Sequence, residues 1–242
     1  MPPLSSFPRS HIATFKYYVG VIFFLDEDYP QAEENLTEAL KLCRRTSREN
    51  LELILTYLIP TRMLTARVLP SPSLLRPYPS LAKLLTPLSR AIRTGNLQAF
   101  DRALEAGEPA FVKRRIYLTL ERTRDICLRN LFRKVFLFGG WEAGKGKEEG
   151  KEVRRTRVPL REFVRAVEVA DGGSGREEVE REEVECFLAN MIFKVSLYLS
   201  RFTSLRSPYT GDAALPHKVS GPDRLNAPTI LIQAAFILTH AL

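Results

Sequence analysis

Between Phe111 and Phe138 the sequence FVKRRIYLTLERTRDICLRNLFRKVFLF gathers Lys113, Arg114, Arg115, Arg122, Arg124, Arg129, Arg133 and Lys134. Guanidinium groups at this density pair well with phosphates, often through two hydrogen bonds at once. They pair equally with carboxylates on neighbouring helices, and both readings stand at this level. Much of the net charge of +8 lies here. Lys plus Arg less Asp plus Glu gives 13 − 11 = +2 for residues 1–110, 8 − 2 = +6 for 111–135 and 15 − 15 = 0 for 136–242. Any surface facing RNA or DNA is therefore expected on a basic helix over 113–134. No RNA-binding aromatic motif stands beside it, so readout of base sequence is not expected.

Other chemistries find little support. His11, His217 and His240 are scattered, and Cys43, Cys127 and Cys186 never form a C-x-x-C pair. Metal sites need clustered ligands, so no metal is expected, and the cysteines read as reduced, mostly buried thiols. The glycines of DGGSG, residues 171–175, lack the preceding buried strand and the lysine of a phosphate cradle. Six glutamates between 177 and 185 suit the positive end of a helix better than acid–base catalysis. No run approaches the roughly 18 apolar residues of a membrane span, and the first residues show no small-residue cleavage site. The expectation is a protein that is not an enzyme, with no cofactor, no small-molecule substrate and no membrane partner.

The elements around these residues read as mainly α. TFKYYVGVIFFL, broken by DEDYP and followed by QAEENLTEALKL, predicts a helix pair. Gly20, Ala32, Leu36 and Ala39 keep the intervals of a tetratricopeptide-like pair, where small residues let two helices cross closely. No strict second copy follows, so stacked helix pairs are predicted rather than a regular array. Asn50–Leu64 is apolar nearly all round and predicts a buried helix that Pro60 bends or ends. The proline-rich residues 69–79 predict a rigid connector. Helices follow over Leu81–Arg93 and, after a turn at Gly95–Asn96, Leu97–Ala106, with Gly107 as C-cap. One long helix is predicted from Phe111 to Phe138. Residues 139–157, GGWEAGKGKEEGKEVRRTR, read as a flexible charged insertion and domain boundary. A short strand then enters an amphipathic helix ending at Ala170, and EEVECFLANMIFK predicts another helix, with Val184, Phe187, Leu188, Met191 and Ile192 on one stripe.

FKYYVG with AEENL, ILTYLIP, GNLQAFD, ERTRDICLRNLFRKVF, TRVPLREF and EEVECFLANMIFK occur in that order over residues 15–194. Together they resemble the PCI-domain family of COP signalosome and mRNA-export (transcription-export) complex subunits. The resemblance implies a helical-repeat part at 1–138, the insertion at 139–157, and the start of a winged-helix module at 158–194. In that module Leu160, Phe163 and Val167 would pack against Val184, Phe187, Leu188, Met191 and Ile192. It also implies a non-catalytic scaffold in nucleus and cytoplasm. The expected partners are another PCI-domain subunit and a small acidic disordered subunit, with RNA or DNA meeting a basic face. Two departures stand out. Only fourteen residues precede FKYYVG, where family members carry a further helical region. After LANMIFK the family's wing does not follow: residues 195–242 contain none of the chain's Glu. Val195–Ser196 fits an in-frame read of a splice donor, so 195–242 is expected to be an unrelated, intron-derived tail that leaves the module incomplete; the alternative is a divergent but genuine wing, which would show alternating apolar strands.

Overall fold

A computed structural model describes residues 6–143, 152–154, 158–172, 181–191 and 193. Among the described residues, helices run in the order α1 Arg9–Leu25, α2 Tyr29–Leu42, α3 Arg48–Thr65, α4 Pro72–Leu75, α5 Pro79–Thr94, α6 Leu97–Lys113, α7 Tyr117–Glu121, α8 Arg124–Phe138 and α9 Leu160–Ala170. A further helix, α10, covers residues 181–191. Strands β1 Trp141–Ala143 and β2 Glu152–Arg154 pair antiparallel, Glu142 facing Val153, so both ends of the expected insertion join a two-stranded ribbon. The mainly α architecture of stacked helices is as expected. The chain divides into two compact units, Met1–Asn130 and Leu131–Leu242, and the division falls inside α8 rather than in residues 139–157.

In the first unit α1 packs on α2, α2 on α3, and α5 on α6. The crossing of α1 and α2 uses the small-residue positions that the spacing singled out. Ala32, Leu36 and Ala39 are fully buried, and Gly20 lies so close to Leu36 that a Cβ there would meet Leu36 Cγ at 2.7 Å. Arg9 closes the far end of the pair, its Nε and Nη2 donating to the Leu42 and Lys41 carbonyls at 3.2 and 2.8 Å. Those carbonyls lack helical partners at a C-terminus, and a guanidinium satisfies them. Asp28 caps α2 by accepting from the Gln31 N–H, and Asn96 caps α6 by accepting from the Ala99 N–H. Gly95, at φ 66°, ends α5 as the turn dipeptide predicts.

Three local expectations are corrected. Pro60 does not end α3, which runs five residues beyond it. An interior proline costs roughly 3 kcal/mol. Here Leu51, Ile54, Leu55, Leu58, Ile59 and Met63 are all buried, at about 1.5–3 kcal/mol each, so burial outweighs the broken hydrogen bond. Gly107 is not a C-cap. It sits inside α6, where a Cβ would meet the Phe111 ring at 2.3 Å. Helical side chains lean back toward the preceding turn, so the missing Cβ makes room for a fully buried Phe111. Finally, the single helix expected from Phe111 to Phe138 is three: the end of α6, then α7, then α8. Arg115 takes the left-handed conformation at φ 57°. Its N–H reaches the Val112 carbonyl at 2.9 Å, and the Ile116 N–H reaches Phe111 at 3.0 Å. That is a Schellman ending with arginine where glycine is usual.

In the second unit α9 buries Phe163 and Val167, with Val158 buried just before it. Residues 158 and 159 are not a strand, contrary to the expectation there. Phe163 meets Phe132 of α8 edge-to-face, with ring centroids 5.2 Å apart. On α10, Val184 and Leu188 are buried, while Phe187 and Met191 are half-buried, as is Leu160 on α9. Ile192 and the whole expected tail, 195–242, lie outside the described residues.

Candidate functional site

The eight basic residues of 113–134 do not share one helix face. Lys113 ends α6, and Arg114 and Arg115 belong to the turn after it. Arg122 follows α7, and Arg124 and Arg129 lie on the first half of α8. Arg133 and Lys134 belong to the second unit. Two of the eight hold helices together. Arg122 Nη2 donates to Glu27 Oε1 and Oε2 at 2.7 and 2.9 Å, and Nη1 donates to Tyr29 Oη at 3.1 Å, tying the α1–α2 turn to α7. The bond to Glu27, helped by Tyr29, holds the Arg122 proton more tightly than usual. Arg124 Nε pairs with Asp101 of α6 at 3.2 Å. Arg129 donates to the Asn130 amide oxygen, and Arg133 Nε is buried with no hydrogen-bond partner among the described residues. Lys113 and Arg115 are exposed.

Several titratable groups elsewhere brace the first helices. Arg62 of α3 bonds Glu33 and Thr37 of α2, and Thr65 Oγ1 donates to Glu33 Oε2 at 2.6 Å. Lys16 of α1 reaches Glu38 of α2 at 2.7 Å and donates to Asn35 Oδ1. Among the described residues, no group of three His, Cys, Asp or Glu could hold a metal ion. Among them also, no helix is long and apolar enough to cross a membrane. All three cysteines are free; Cys127 is buried, Cys43 is half-buried with its thiol pushed up by burial, and Cys186 is exposed, against the expectation of mostly buried thiols.

Two surfaces escaped the sequence reading. The first is on α1, where Phe15, Tyr18, Ile22 and Leu25 stand 50, 61, 58 and 43% exposed. Their spacing of three, four and three residues puts them in one line along the helix. The opposite face, with Gly20 and Phe24, is buried. The signal was present: a helix apolar all round needs cover on both sides. The second is a cationic corner where α2 turns into α3, taken up below.

No family model matches the chain. Relatives do. A protein of Neurospora crassa named "Protein CSN12 homolog" is 57% identical over 194 residues, covering 80% of this chain and 42% of its own. The protein of the same name from Schizosaccharomyces pombe is 41% identical over 203 residues, covering 83% of this chain and 44% of its own. "PCI domain-containing protein 2" of Xenopus laevis is 33% identical over 180 residues, covering 74% and 40%. The stacked helix pairs and these likenesses define the class: the chain belongs to the PCI-domain family. Within that family it is CSN12-like. It spans less than half the length of these curated relatives.

Proposed function

We propose that the chain acts as a non-catalytic scaffold subunit, pairing with another PCI-domain subunit in a COP signalosome-like or mRNA-export complex of nucleus and cytoplasm. A small acidic disordered protein would brace the assembly. The observation that carries this reading is the α1 stripe. Four large apolar side chains in line, each more than two-fifths exposed, form the kind of surface that a second polypeptide covers. The name "Protein CSN12 homolog", borne by relatives at 57 and 41% identity, supports a subunit role. The polar groups support it too, since Arg62, Arg122 and Arg124 are each taken up in ion pairs that brace helices.

Affinity capture of the tagged full-length gene product, with partner identification, tests the reading. A second PCI-domain protein and a small acidic protein are expected in the eluate. Capture of RNA alone, abolished by ribonuclease, would overturn it. That outcome would favour the other reading, a nucleic-acid module acting through residues 113–134, for which exposed Lys113 and Arg115 remain available.

A further inference from the structure

The most cationic corner of the first unit is not in 113–134. Residues 41–48, KLCRRTSR, carry Lys41, Arg44, Arg45 and Arg48 and no Asp or Glu, giving 4 − 0 = +4 in eight residues. The structure adds Arg9, whose guanidinium lies on the Lys41 and Leu42 carbonyls. The turn is pinned by its backbone: Cys43 N–H bonds the Ala39 carbonyl at 2.9 Å, Ser47 N–H bonds Arg44 at 3.1 Å, and Arg48 N–H bonds Thr46 at 3.0 Å. Arg44, Arg45 and Arg48 are all exposed, and among the described residues none has a carboxylate partner. This contrasts with Arg62, Arg122 and Arg124, each in an ion pair. Two residues before Arg9, Phe7 is 43% exposed.

We propose that Phe7, Arg9, Lys41, Arg44, Arg45 and Arg48 form a binding surface for single-stranded nucleic acid. Exposed arginines on one turn, without carboxylate partners among the described residues, repel one another in the free protein and gain a partner in a phosphate backbone. The guanidinium forks match phosphate oxygens two at a time. An exposed aromatic ring two residues before Arg9, which is itself bonded to the end of α2, offers a platform on which an unpaired base can stack. An acidic protein segment fits less well, because protein interfaces exclude charge from their centre and this corner offers one apolar side chain. The proposal stands apart from the scaffold reading and fails or holds without it.

Fluorescence anisotropy of the full chain with labelled oligouridine, between roughly 50 and 200 mM salt, tests it. The triple variant Arg44→Ala/Arg45→Ala/Arg48→Ala, changed only at exposed positions, should melt like the wild type. Its affinity at the low-salt end should fall about tenfold or more, and the slope of log affinity against log salt should flatten by about 2, at roughly 0.7 per phosphate contact on a single strand. Phe7→Ala should weaken binding about fivefold or more with the slope unchanged. Four results overturn the proposal: no binding by the wild-type chain, an unaltered triple variant, a loss confined to Lys113→Ala/Arg114→Ala/Arg115→Ala, or equal competition by oligoglutamate of matched charge.

Discussion

A Cβ added at position 20 would lie 2.7 Å from Leu36 Cγ and 3.2 Å from the Leu36 backbone nitrogen, with Leu36 itself wholly buried. Overpacking of that kind costs about 1–3 kcal/mol, and the helix propensity gained from glycine to alanine returns up to about 1 kcal/mol. Gly20→Ala should therefore lose about 1 kcal/mol of stability, read as a lower urea midpoint. Arg115→Gly should shift the midpoint the other way. Arg115 holds a left-handed φ of 57° that costs a side-chain-bearing residue about 1 kcal/mol, and glycine adopts it freely. A gain of about 0.5–1 kcal/mol is expected; a loss would mean that the arginine side chain matters more to the turn than its backbone does. Glycine was thus a faithful signal only where space or conformation demanded it. Gly20 and Gly95 could be read from spacing and turn chemistry. Gly107 could not, because its purpose is a buried ring four residues later, and the helix end at Arg115 carries no glycine at all.

At the scale of elements, helix existence was legible and helix continuity was not. Apolar periodicity marks which residues lie on a helix, but Pro60 and Arg115 are decided by burial around them, which no local window contains. Buried Met63 carries α3 past its proline, whereas buried Phe111 and Ile116 pull the chain into a turn after α6. The join of α1 and α3 makes a pH prediction. Tyr17 stacks edge-to-face on Tyr18 and on Tyr57 of α3, with centroids 5.2 and 6.2 Å apart. Burial first, then the neighbouring Tyr57 and Tyr18 hydroxyls, push its pKa up to about 12 from 10. With the folded value raised, the native state holds the proton longer than the unfolded chain. The stabilisation is complete below pH 10 and is lost as pH rises from 10 through 12. Thermal melts across that window should fall more steeply for the wild type than for Tyr17→Phe; parallel curves would show that Tyr17 titrates normally.

For the molecule as a whole, the family was readable in ordered blocks, while the surfaces were not. The basic count pointed to 111–135, yet Arg122 and Arg124 are committed to Glu27 and Asp101, while Arg44, Arg45 and Arg48, exposed and without a carboxylate partner among the described residues, lie outside that stretch. Charge counted along a chain does not reveal which charges the fold consumes. In the same way the apolar run of α1 marked a helix, and only the fold shows that Phe15, Tyr18, Ile22 and Leu25 face outward. The most direct test of the scaffold account is capture of the partner subunit on wild-type chain and on Tyr18→Asp/Ile22→Asp, washed at low salt and at about 1 M, where attraction between charges is screened beyond roughly 3 Å. The account predicts that the wild type keeps a PCI-domain partner through the high-salt wash, and that the variant, folded as shown by an unchanged melt, loses it at both. Loss of the partner from the wild type at high salt, or its retention by the variant, would contradict the account.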